Sequence, residues 1–95
     1  MTVEYYAEAS IGGSNTINHA EIIVVEKHWL QDDGWQQGDI VDSAQWRYTF
    51  YDKKGTIIFE PLDNALERMG WRKLHQHYWV DIGSGYVTSV KPAHT

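Results

Sequence analysis

The residues best suited to chemistry lie in one short stretch, Trp71 to Trp79. In a strand, residues two apart project from the same face. His75 and His77 therefore offer two imidazoles to one metal ion. A zinc site needs at least a third protein ligand, which His19, His28 or Asp81 supplies if the strands pair suitably. The alternative is a pair of solvent-facing histidines. The same spacing defines a longer strip: Trp71, Lys73, His75, His77 and Trp79 alternate along one strand face. Interfaces are enriched in aromatic anchors that dominate their energetics, so this strip reads as a surface for a protein partner. The competing reading is that a helix or second layer covers it, with Trp71 and Trp79 in the core.

Trp35 is the other candidate binding residue. It lies in QDDGWQQGD, between Gly34 and two glutamines. An indole among Asp and Gln side chains suits stacking on a glycan or another small ligand. The alternative is an indole folded back to plug the edge of the core, which removes its apolar area from water.

Other chemistries find no support. The 95 residues contain no cysteine, which rules out disulfide frameworks, thiolate zinc sites and cysteine nucleophiles. Phosphate-cradling glycine motifs and the Gly-x-Ser-x-Gly elbow are missing. None of the serines has a patterned His or Asp neighbour. The expectation is a protein that is not an enzyme and needs no cofactor.

The net charge is −5, the wrong sign for general nucleic-acid binding, which needs a Lys and Arg surplus. Charge is also segregated. Residues 1–45 hold eight carboxylates against Lys27 alone, a balance of −7, while residues 46–95 hold seven Lys or Arg against five carboxylates, a balance of +2. An acidic face of this kind steers a basic partner; the plainer reading is that each half solvates its own surface. The first residues lack a basic n-region and an apolar h-region, and the longest apolar run is Ile22–Val25, far short of a membrane span. A soluble, cytoplasmic protein with no membrane contact is expected.

The positioning elements follow from periodicity. Residues 2–11 alternate, with Val3, Tyr5, Ala7, Ala9 and Ile11 on one face, which predicts a half-buried strand. Gly12 to Asn15 supplies a turn. The run Ile22-Ile23-Val24-Val25 favours a central strand within 19–30; a helix over 16–30 is the alternative. The glycines and aspartates of 31–42 predict a long loop. Residues 44–51 alternate again, the Asp52–Gly55 segment predicts a hairpin turn, and 56–60 is the expected return strand.

Pro61 opens the one strong helical pattern, with Leu62, Ala65, Leu66 and Met69 on one stripe and Gly70 as terminator. Period two resumes over 71–82, Gly83–Gly85 turns, and 86–91 returns until Pro92 stops the ladder. The order is β-β-loop-β-β-α-β-β. It predicts a single α+β domain with an antiparallel sheet of about five to six strands and one short helix; a small, partly open β-barrel is the alternative. The function expected is a small protein-binding module of inhibitor, adaptor or accessory type, with a homodimer through an exposed edge strand as its simplest form. Glycan or small-ligand binding and a His-x-His metal site are the alternatives.

Overall fold

The computed structural model describes residues 2–13, 18–32, 34–74 and 78–93. Six strands and one helix follow in the order β1 (Thr2–Gly13), β2 (Asn18–Leu30), β3 (Gly34–Tyr48), α1 (Glu60–Arg68), β4 (Trp71–Lys73), β5 (Val80–Asp81) and β6 (Tyr86–Pro92). The strands form one open antiparallel sheet in the order β3-β2-β1-β6-β4, and β5 also pairs with β6. The architecture is therefore an antiparallel sheet with one short helix, and it stays open rather than closing into a barrel.

Directly paired residues share a face of a sheet. Tyr5, Ala7, Ala9 and Ile11 stand opposite Glu26, Val24, Ile22 and Ala20, and Ala7 and Ala9 also stand opposite Thr88 and Tyr86. This is the face on which α1 packs. Leu62, Ala65 and Leu66 are buried with Ala7, Ala9, Ala20, Ile22, Val24, Phe50 and Val90 in one core. The helix is short and depends on this packing. It ends where Gly70, at φ 89°, takes the left-handed conformation and donates its N–H to Glu67 O at 2.9 Å.

Three expectations are corrected. Residues 31–42 are not a long loop: β3 begins at Gly34 and runs antiparallel to β2 from the Leu30–Gly34 pair onward. The glycines there have other jobs. Gly34, at φ 75°, completes the tight connection. Gly38 lies where a Cβ would come within 2.6 Å of His28 Nε2 and 3.0 Å of Glu26 Cβ. The register also shifts twice, between Val24 and Val25 and between Val25 and Lys27. Each shift adds a residue on β3, and such bulges bend a strand and sharpen its twist.

Residues 56–60 form no return strand. The turn itself is present: Asp52 accepts from Gly55 N through its carbonyl, and from Lys54 N at 2.8 Å and Thr56 N at 3.0 Å through its carboxylate. Only the single bridge Tyr51–Ile57 follows, because the chain leaves the sheet to seat Phe50 in the core and start α1 at Glu60.

The strand expected over 71–82 is two short ones. Lys73 pairs with Val90 and Val80 with Val87. Seven steps along this segment match only three along β6, so one uninterrupted alternation cannot connect them. His75 and His77 lie outside the described residues.

Candidate contact surface

Trp71, Lys73 and Trp79 share no exposed strand face. Trp71 and Lys73 lie on the helix side of β4. Lys73 Nζ meets Asp63 of α1, at 3.1 Å from Oδ1 and 3.2 Å from Oδ2. Trp79 is 6% exposed and its Nε1 donates to Asp63 Oδ1 at 2.8 Å. Trp71 packs on Tyr5 with ring centroids 5.1 Å apart, and its Nε1 donates to Asp42 Oδ2 at 3.0 Å. The indoles are turned inward because each can bury its ring and still satisfy its N–H on a carboxylate. This corrects the expectation of a displayed aromatic strip, as far as Trp71, Lys73 and Trp79 are concerned.

The displayed aromatics are elsewhere. Trp29 and Trp35 face each other across β2 and β3, with ring centroids 5.3 Å apart in an edge-on arrangement. They are 45% and 42% exposed. Lys27 stands on the same face and opposite Glu4, which puts all of them on the side of the sheet away from α1. Its Nζ lies 5.0 Å from the Trp35 ring centroid and 3.7 Å from Glu4 Oε2. The ammonium is thus shared between an indole face and a carboxylate. Nearby Val3, Leu30, Ile40 and Val41 are also exposed. Ile40 and Val41 are side by side at the bulges, which interrupt the strict in-and-out alternation. The ladder between β1 and β6 stops at the Tyr5–Val90 pair, so the hairpin end carrying both indoles runs past it.

Sequence reasoning had Trp35 without Trp29. The missed signal was symmetry: the two indoles lie one step outside the Leu30–Gly34 pair that closes the hairpin. Trp35 is a strand residue locked in a cross-strand pair, and it does not plug the core.

A groove of about 350 Å³ adjoins this face. Tyr6, Lys27, Tyr78, Val80, Val87 and Ser89 line it. Desolvation, reinforced by the nearby Glu8 carboxylate, raises the Tyr6 phenol above its ordinary pKa, so its hydroxyl stays a neutral donor over a wide pH range. No group of three His, Asp or Glu that could hold a metal ion occurs among the described residues. The carboxylates in the helix-side layer are engaged: Asp63 receives Lys73 and Trp79, while Asp42 receives Trp71 Nε1 and Ser43 N. No helix among the described residues is long and apolar enough to cross a membrane.

Comparison with protein-family models, with curated proteins and with solved structures finds no match. The functional reading rests on the surface itself.

Proposed function

We propose that this chain is a protein-binding module whose contact surface is the free end of the β2–β3 hairpin. The observation that carries the reading is the Trp29–Trp35 pair, held in fixed geometry and left nearly half in water. Exposed aromatic anchors ringed by polar groups are the usual centre of a protein interface. The cross-strand pairing holds both indoles in place before contact, which reduces the ordering cost of binding. Glu4, paired with Lys27 on this face, and Asp32, exposed at the turn, add negative charge beside them, which suits a basic rim on a partner.

A photo-crosslinking amino acid at Gln37, exposed on the strand that carries Trp35, tests the reading in living cells. The expected result is a covalent protein adduct that disappears when Trp29→Ala and Trp35→Ala are added. No protein adduct, together with a tryptophan emission shift on adding oligosaccharides or other small ligands, would overturn it in favour of a ligand seated in the groove beside Tyr6.

A further inference from the structure

One carboxylate on the sheet face away from α1 stands without a partner. Glu8 is on that face, two residues after Tyr6. Across the sheet it is opposite Ile23 on β2 and Val87 on β6, and Val87 is opposite Val80 on β5. Glu8 is thus the ionised member of an otherwise apolar row, Ile23, Glu8, Val87 and Val80. Among the described residues it has no ion-pair or hydrogen-bond partner. Glu4, by contrast, has Lys27 within 3.7 Å. Lys91 also stands on the Glu4 side of Tyr6.

Glu8 borders the groove beside Tyr6. Val80 and Val87 of its row line that groove, together with Tyr6, Ser89 and exposed Tyr78. Lys27 lines it too, but its ammonium is held between Glu4 and the Trp35 ring. At about 350 Å³ the groove is at the small end of binding sites, which run roughly 300–1,000 Å³. That suits one long side chain rather than a folded segment. The lining defines which one. Val80 and Val87 suit an aliphatic stem, and the aromatic rings of Tyr6 and Tyr78 suit a cation. The Glu8 carboxylate accepts a forked pair of N–H donors, and the neutral Tyr6 hydroxyl is a further acceptor. Arginine combines the stem, the planar cation and the fork; lysine supplies only a point charge.

We infer that the protein partner inserts an arginine side chain into the groove beside Tyr6, with its guanidinium on the Glu8 carboxylate. This rests on the reading of the adjoining hairpin as a protein contact and specifies what the partner presents.

The probe that tests this is N-acetylarginine methylamide, titrated into isotope-labelled protein and followed by amide chemical shifts. A single side chain binds weakly, with a Kd on the order of 10 mM. Shifts are expected at Glu8, Val80, Val87 and Ser89. The citrulline analogue keeps the shape but carries a neutral urea, and it should shift them little. Glu8→Gln and Tyr78→Ala should each weaken arginine binding at least about threefold. Tyr78 is 79% exposed, so its truncation spares the fold, and circular dichroism melts control for Glu8→Gln. Equal responses to the arginine and citrulline probes overturn the inference, as does arginine binding indifferent to Glu8→Gln. The Gln37 crosslink separates this outcome from the wider reading. An adduct whose yield is unchanged by Glu8→Gln removes the arginine and leaves the contact surface standing, whereas no adduct at all removes both.

Discussion

Trp71 Nε1 lies 3.0 Å from Asp42 Oδ2, although β4 and β3 are at opposite ends of the sheet order. Strands sit about 4.8 Å apart, and a flat sheet would keep these residues too far apart to touch. The sheet therefore curls round its helix, and this hydrogen bond fastens the curl. Trp71→Phe keeps the packing on Tyr5 and leaves the carboxylate without its indole donor. The expected cost is about 1–3 kcal/mol in urea unfolding, the penalty for losing a charge-assisted bond in a half-buried setting. Asp42→Asn should cost less, because the amide oxygen still accepts.

Thr88 is buried, and its Oγ1 has no hydrogen-bond partner. Val has nearly the same shape without the hydroxyl. Thr88→Val is expected to stabilise the protein by about 1 kcal/mol, since it removes a desolvated polar group from the core. A rise in melting temperature checks this.

Gly38 permits the close approach of His28 and Glu26 to β3. Gly38→Ala forces them apart and should destabilise by about 1–3 kcal/mol, the usual cost of overpacking. Adding His28→Ala removes the nearest obstructing side chain. The double variant is expected to recover much of the loss in the same denaturation assay.

Two phenols make the protein sensitive to alkali. Burial raises Tyr6, with a further contribution from Glu8; burial raises Tyr86, with contributions from Asp81 and Tyr51. A raised folded-state pKa means the unfolded chain releases its proton first. The associated stability is fully present below about pH 10 and is lost as pH rises through the folded values. Urea melts at pH 8 and in the alkaline range should show the decline. Tyr6→Phe combined with Tyr86→Phe should flatten it.

Much of the fold was legible because it rests on periodicity. Val3 to Ile11 marked β1, Ile22 to Val25 marked β2, and Leu62, Ala65 and Leu66 marked α1. The errors have two sources, composition read as geometry and periodicity read without a partner strand. Gly34, Gly38 and the aspartates of 31–42 resembled a loop, yet they serve a tight turn, a close contact and a bulged edge. Trp71 and Trp79 looked displayed because the alternation seemed unbroken, whereas the mismatch of β4 and β5 against β6 is invisible without the partner strand. The Trp29–Trp35 pair could have been found by counting three residues either way from Asp32.

The contact surface itself is tested most directly by fluorine NMR on protein carrying 5-fluorotryptophan at its five tryptophans, assigned by Trp→Phe variants. Added to a protein extract of the native cell, the Trp29 and Trp35 resonances should broaden together while those of Trp46, Trp71 and Trp79 hold their positions. Treating the extract with protease beforehand should abolish the change. Broadening that survives protease, or that leaves Trp29 and Trp35 untouched, would contradict the assignment of the β2–β3 hairpin as a protein-binding surface.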